Sequence, residues 1–165
     1  MNYLKQYDTG GDYWQKINLL FNLLIVPPLT VFFFSYVSVK QGLEPVIEPG
    51  LKLPVEFGAF GLSMLLVGWS FWQSRKTRKQ ISGTFKERLD QYAVQLFKFH
   101  IWLCVASLLL APIMLLTANE YYAAVFMIPF ALFSAALPSW RRIRLGAKLD
   151  RPEWETLRKK EHIPQ

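Results

Sequence analysis

The residues of this chain that could take part in chemistry are few. The sequence has two histidines, His100 and His162, and a single cysteine, Cys104. His100 and Cys104 are four positions apart and would share one face of a helix, but two ligands do not complete a tetrahedral zinc site. A haem held between membrane helices commonly uses a pair of histidines, and His162 lies in a polar tail. We therefore predict no metal site and no cofactor, and we expect His100 to be a packed residue.

Sequence motifs of catalysis are missing as well. The chain contains no GxxxxGK[ST] phosphate loop, no HExxH pair and no GxSxG nucleophile elbow. Quinone-linked thiol oxidation needs a cysteine pair, and the single cysteine also excludes an intrachain disulfide. We therefore predict no catalytic residue, and we favour a protein that is not an enzyme.

One carboxylate stands at the edge of an apolar stretch. Glu56 immediately precedes the uncharged run that starts at Phe57. An ionisable side chain at this position predicts an ion or proton site in a small transporter. The alternative is a solvated glutamate at the membrane interface, because Pro54 places Glu56 near the end of its helix.

These residues must be positioned by strongly apolar elements. Hydrophobic residues make up 52% of the 165 residues and charged residues 19%, less charge than a soluble domain usually carries. A helix needs roughly 20 apolar residues to cross a bilayer. Four uncharged stretches come close to or exceed that length: Ile17 to Val39, Phe57 to Ser74, Phe99 to Asn119 and Tyr121 to Trp140.

We therefore predict an all-α membrane protein with four transmembrane helices in a single domain over residues 1–165. The spans are expected at about 17–37, 54–73, 97–116 and 121–138. The turn 117–120 is short enough to force an antiparallel hairpin, with Asn119 as the N-cap of the fourth span. A buried bundle in a soluble protein is the alternative, but soluble core helices rarely run this long without a charge.

The basic residues predict the orientation. Lysine and arginine are concentrated before the first span, in the connection 74–96 and in the tail 141–165, and two, Lys40 and Lys52, lie on the other side. The positive-inside rule then places both termini in the cytoplasm, in a protein of the cytoplasmic (inner) membrane.

The net charge of +7 has the same origin. Basic residues beside the ends of apolar runs attract anionic lipid headgroups, so we expect membrane lipids rather than nucleic acid as the partner of these residues. The candidates for headgroup binding are Lys98, His100, Arg141, Arg142 and Arg144.

Small residues mark one face of the second span. Gly58, Gly61 and Gly68 lie at steps that keep them on one side of a helix, with Leu65 between them. Small residues let two membrane helices approach closely. This face predicts a contact with another membrane protein subunit or with a second copy of the chain; the alternative is packing within the chain's own bundle.

The two cytoplasmic segments carry helix signals. Thr84 and Glu87 form a capping box, and an apolar stripe follows: Phe85, Leu89, Tyr92, Ala93 and Leu96. We predict an amphipathic helix that runs into the third span and lies on the membrane, or alternatively docks a cytoplasmic partner. Asp150 and Glu153 repeat the capping pattern and predict a short helix to about Lys160.

The leading hypothesis for function is a non-catalytic accessory or scaffold subunit of a larger membrane complex. The absent catalytic motifs, the glycine face and the basic cytoplasmic segments favour it. The second hypothesis is a small oligomeric transporter or channel that uses Glu56. The third is a membrane enzyme that binds a lipid or quinone through its basic residues. A four-span layout serves many unrelated functions and does not itself choose among the three.

Overall fold

The computed structural model describes residues 7–164, and their regular structure is helical. Six helices follow one another: α1 (Gly10–Lys40), α2 (Pro49–Lys79), α3 (Phe85–Thr117), α4 (Tyr122–Ala135), α5 (Trp140–Gly146) and α6 (Arg151–Arg158). The prediction of an all-α protein is confirmed. Lys5, counted among the basic residues before the first span, lies outside the described residues.

Three helices are long and apolar enough to cross a membrane, namely α1, α2 and α3. By length and composition, the count rises to four if α4 and α5 are taken together as one bent span. The structure therefore supports a membrane protein, while the four-span count and the orientation stay predictions.

The predicted fourth span, 121–138, contains a shorter helix than expected. α4 has 14 residues, about 21 Å at 1.5 Å per residue, against a hydrocarbon core of about 30 Å. It ends at Ala135, three residues before Pro138. Proline has no backbone N–H to continue a helix and disfavours helical geometry in the residue before it. A second helix, α5, which the sequence reading did not predict, begins two residues after Pro138.

The second span also differs from its predicted bounds. α2 begins at Pro49, not at Pro54, so residues 49–53, which were predicted to lie before the span, are helical. Proline is well tolerated in the first turn of a helix, because the N–H that it lacks would have no partner there. The amide of Leu51 already donates to the carbonyl of Glu48 at 3.0 Å, which closes that turn.

The chain divides into two compact units, and the first unit combines three segments distant in sequence. It comprises the N-terminal part to residue 22, residues 72–99 and residues 137–165. Its core contains the whole apolar stripe, with Leu89 fully buried and Leu96 packed at its margin. The stripe is thus covered by the protein itself, so it is not free to lie on a membrane or dock a partner. The segment continues into the predicted third span, since α3 runs unbroken from Phe85 to Thr117.

Backbone hydrogen bonds join the two ends of the described chain within this unit. The amide of Gly10 donates to the carbonyl of Glu161 at 3.0 Å, and the amide of Ile163 donates to the carbonyl of Asp8 at 2.8 Å. An isolated antiparallel bridge pairs Thr9 with His162. His162 therefore has a structural position beside the N-terminal segment.

Side-chain contacts join the N-terminal segment to the connection 74–96 and to the start of the C-terminal segment 137–165. The Tyr7 hydroxyl donates to Asp90 at 2.8 Å, and burial, followed by this hydrogen bond, raises the pKa of Tyr7 above its usual range. The rings of Trp14 and Trp140 stack with centroids 4.3 Å apart. The first unit is therefore held together by tertiary contacts among all three of its segments.

Both predicted capping boxes are present. The Thr84 amide donates to Glu87 at 2.9 Å, and the Asp150 amide donates to Glu153 at 2.9 Å. The short C-terminal helix predicted after Asp150 is α6. Capping boxes depend on residues three positions apart, which is why the sequence alone reveals them.

The second unit comprises residues 23–71 and 100–136. Its core packs Leu110, Met114 and Phe126 together, and the Phe126 ring stacks on Phe32 at 4.2 Å between centroids. Half of the most apolar window of α3 is buried, against 17% for the corresponding windows of α1 and α2. Much of the apolar surface of α1 and α2 is therefore left without cover from this chain.

Candidate functional site

Glu56 lies on the face of α2 that packs against the rest of the second unit. The buried residues of α2 are Glu56, Ser63, Val67 and Ser70, and their spacing of seven, four and three keeps them on one side of a helix. The Ser63 hydroxyl donates to the carbonyl of Ala106 at 3.2 Å, which ties this face to α3. Glu56 is only 9% exposed, which speaks against a fully solvated glutamate, and the predicted ion or proton site stays a prediction.

Two residues from the turn after α3 hold Glu56. The side-chain amide of Asn119 donates to Oε1 of Glu56 at 2.9 Å, and the Tyr122 hydroxyl donates to the backbone carbonyl of Glu56 at 2.6 Å. Asn119 was predicted as the N-cap of the fourth span, but α4 begins at Tyr122 and has Tyr121 at its N-cap. The Asn119 side chain instead accepts the amide of Tyr121 at 3.1 Å and caps the short turn before the helix.

A cleft of about 310 Å³ opens beside Glu56, and we call it the Glu56 cleft. Its other walls are largely apolar and aromatic: Leu53, Phe57, Phe60, Asn119, Tyr121, Tyr122 and Val125. The Glu56 carboxylate, the Asn119 amide and the two tyrosine hydroxyls are the polar side-chain groups among mainly hydrophobic surfaces. Such a combination is typical of a small-molecule site, in which a few polar groups orient a largely apolar ligand.

A second carboxylate, that of Glu120, lies in the turn before α4 and is more exposed than that of Glu56. Glu120 forms an ion pair with Lys40, and both side chains are about half exposed. Exposed pairs of this kind contribute little to stability.

The loop between α1 and α2 is hydrogen-bonded to the end of α3. The amides of Val46 and Ile47 donate to the carbonyl of Leu116, at 2.9 and 3.3 Å.

The glycine face of α2 lies on the other side of the helix. At about 100° per residue, Gly58, Gly61, Leu65 and Gly68 fall opposite the buried row that starts at Glu56; we call these four residues the glycine seam. A Cβ atom added to any of the three glycines would meet nothing within 4 Å, and Leu65 is 71% exposed. Open space in front of these glycines speaks against packing onto the other described residues of the chain, and a contact with another chain stays a prediction.

The predicted headgroup residues do not form one group. Lys98, Arg141, Arg142 and Arg144 belong to the first unit and are exposed, whereas His100 belongs to the second unit. His100 is 1% exposed, and its ring packs edge-to-face against Phe133 with centroids 4.9 Å apart. His100 is therefore a packed residue, and its burial speaks against headgroup contact.

Metal binding finds no support in the described residues. Among residues 7–164, no group of three or more histidine, cysteine, aspartate or glutamate side chains is placed to hold a metal ion. Cys104 is buried as a free thiol.

The sequence singled out Glu56 and the glycines but missed the partners of Glu56. Asn119 and Tyr122 lie more than sixty positions further along the chain, and no local pattern links them to α2. The only signal was that Glu56 and the turn 117–120 were expected on the same side of the membrane.

No known family model matches this chain, and no curated protein or solved structure is significantly similar to it.

Proposed function

We propose that this chain is a non-catalytic subunit of a membrane protein complex, which crosses the membrane four times and binds a transmembrane helix of another protein through the glycine seam of α2. The observation that carries the proposal is the open space in front of Gly58, Gly61 and Gly68 on an apolar helix whose opposite face is already packed.

The three segments that form the first unit support an even number of membrane crossings. The chain leaves this unit after residue 22, returns at residue 72, leaves again after residue 99 and returns at residue 137. The hydrogen bonds between its two ends support a placement of both ends on the same side of the membrane. With α1, α2 and α3 as crossings, we propose that the segment containing α4 makes the fourth, despite its short helix.

The positive charge of the first unit supports its cytoplasmic placement. The basic residues of the connection and the tail belong to this unit, and cytoplasmic segments carry an excess of lysine and arginine. We accordingly place the connection 74–96 and the tail 141–165 on the cytoplasmic side of an inner membrane.

The glycine seam supports a helix as the partner. In a bilayer the lipid tails are as apolar as the side chains, so association depends on close packing of backbones rather than on the hydrophobic effect. Glycine in a helix interior costs roughly 0.5–1 kcal/mol relative to alanine. Three glycines aligned on one face, with open space in front of each among residues 7–164, are best explained by a helix that approaches them from another chain.

Crosslinking from within the seam tests the proposal. A photoreactive amino acid replaces Leu65 in the seam or, as a control, the buried Val67 on the opposite face, and the protein is irradiated in native membranes. We expect Leu65 to give one discrete product larger than the 19.2 kDa chain that contains a second polypeptide, and Val67 to give none.

Bulky substitutions then show whether the glycines matter. The double substitution Gly58→Ile and Gly61→Ile is expected to reduce the crosslinked product roughly tenfold, equivalent to about 1.4 kcal/mol of association free energy. Gly50→Ile is the matched control, since Gly50 also has open space but precedes the seam in the first turn of α2. Undiminished crosslinking in the double variant, or a product made of two copies of this chain, contradicts the proposed subunit role.

A further inference from the structure

The Glu56 cleft contains a buried acidic group without a basic partner. Glu56 is 9% exposed, and its hydrogen-bond donors are neutral, the amide of Asn119 for the carboxylate and the hydroxyl of Tyr122 for the carbonyl. Throughout residues 7–164, the lysine or arginine ion pairs involve other carboxylates, those of Glu120, Glu153 and Glu155. A buried charge is normally paired with an opposite charge, so Glu56 has capacity for a positively charged group.

The walls of the cleft indicate what carries that charge. Phe57, Phe60, Tyr121 and Tyr122 contribute aromatic rings, and Leu53 and Val125 contribute aliphatic surface. Aromatic faces attract cations, and the attraction grows as the site loses water. An apolar surface of this size favours a ligand with a hydrocarbon portion, and the cleft volume of about 310 Å³ suits a small one.

We propose that the Glu56 cleft binds an amphiphile with a protonated amine: the ammonium donates hydrogen bonds to the Glu56 carboxylate, and the hydrocarbon portion lies along Leu53, Phe57 and Val125. An acidic amphiphile would be repelled by the carboxylate. A neutral amphiphile would leave the carboxylate without a charge partner. The proposal does not depend on the partner of the glycine seam.

Two sources present this chemistry. A free alkylamine has it, and so does the ethanolamine headgroup of a phospholipid. The ammonium group and the adjoining carbon chain are common to both, so the ligand is defined by this chemistry and its source is left to the experiment.

Calorimetric titration of the full chain in phosphatidylcholine nanodiscs tests the proposal. The probes are hexylammonium and 1-hexanol, which have the same hydrocarbon chain and differ in charge. We expect hexylammonium to bind with saturation and 1-hexanol to bind at least roughly tenfold more weakly, since hydrogen bonds to charged groups are the stronger kind. Equal binding of the two probes would overturn the proposal.

Substitutions locate the binding. Glu56→Gln removes the charge and keeps an oxygen that accepts the Asn119 hydrogen bond, and it is expected to weaken hexylammonium binding roughly tenfold or more. Glu120→Gln is the control, because Glu120 lies in the same unit but is exposed and paired with Lys40, and it is expected to change nothing. The proposal fails if Glu56→Gln binds as well as the unsubstituted protein or if Glu120→Gln weakens binding to the same extent.

A third variant tests where the probe binds without changing Glu56, in case Glu56→Gln does not fold. Leu53 is 62% exposed at the cleft, so Leu53→Trp fills space there and leaves the carboxylate in place. It is expected to weaken hexylammonium binding as well, and unchanged binding in this variant would contradict the location.

A last titration distinguishes the two sources of the amine and uses nanodiscs that contain phosphatidylethanolamine. If this lipid competes with hexylammonium, the site is assigned to a lipid headgroup. If it does not compete, the site is assigned to a free amine.

Discussion

Replacing Gly10 with alanine is expected to destabilise the first unit by about 2 kcal/mol, because overpacking of a well-filled contact typically costs 1–3 kcal/mol. A Cβ atom on Gly10 would lie 2.4 Å from the carbonyl oxygen and 3.0 Å from the Cα of Leu157. Those are backbone atoms of α6, so no side-chain rotation relieves the clash, and α6 itself must move. The same movement would strain the hydrogen bond from the Gly10 amide to Glu161.

Gly11→Ala is the matched control for this prediction. A Cβ atom on Gly11 would meet the Lys160 side chain and the Thr9 hydroxyl at 3.5 Å, an ordinary contact, and alanine is the better helix former. The control is therefore expected to be neutral or slightly stabilising. Tryptophan fluorescence during thermal unfolding in mild detergent measures both, since Trp14, Trp140 and Trp154 lie in the first unit. Equal unfolding temperatures for the two variants would show that the close approach of α6 to Gly10 is not real.

Loss of Arg88 is expected to destabilise the same unit by about 2–3 kcal/mol. Its guanidinium donates to the Glu153 carboxylate and to the carbonyl of Lys148, and the Arg88 and Glu153 side chains are only 15% and 21% exposed. Arg88→Met keeps the apolar stem but leaves Glu153 without its cation. Removing one partner of a buried pair costs 3–5 kcal/mol, and we take the lower part of that range or less because water still reaches both groups.

Arg151 provides the comparison, since it lies in α6, the helix that also contains Glu153. It pairs with Glu155 at 3.3 Å, but the two side chains are 83% and 51% exposed. Pairs four residues apart on a helix surface contribute about 0.3–0.5 kcal/mol, so Arg151→Met is expected to have little effect. Denaturant unfolding of both variants measures the difference, and a loss of similar size in each would mean that burial does not decide the strength of these pairs.

The sequence predicts those features of this protein that depend on residues close together along the chain. Both capping boxes involve residues three positions apart, and the stripe from Phe85 to Leu96 follows from helical periodicity alone. What covers the stripe does not follow from periodicity, since a membrane, a partner and the protein's own core all suit an apolar face. In the structure the protein's own core covers the stripe, because residues near both chain ends pack against it.

The glycines show that spacing along a helix does not reveal which glycines have close tertiary contacts. Gly58 and Gly61 stood out by their spacing, yet a Cβ atom on either would meet nothing within 4 Å in the described part of the chain. Gly10 and Gly146 carry no spacing signal, but a Cβ on Gly146 would lie 2.1 Å from the Tyr92 ring. Close approaches between segments more than fifty residues apart are decided by tertiary packing, and one sequence contains no record of them.

The candidate site divides in a similar way. Glu56 was recognisable as a carboxylate at the edge of an apolar run, and its interfacial position suggested solvation. Its burial depends on Asn119 and Tyr122, which reach it from the turn after α3. Hydrogen-bond partners this distant in sequence cannot be assigned without the fold.

Thiol accessibility in sealed vesicles tests the central claim, that the chain crosses the membrane four times with the connection 74–96 and the tail 141–165 on one side. In a Cys104→Ala background, single cysteines replace Ser82 in the connection, Lys159 in the tail and Glu44 in the loop between α1 and α2, all of which are exposed. With an impermeant reagent and inside-out vesicles, we expect Ser82→Cys and Lys159→Cys to react at once and Glu44→Cys to react only after the membrane is permeabilised. Reaction of Ser82→Cys and Lys159→Cys from opposite sides would contradict the account.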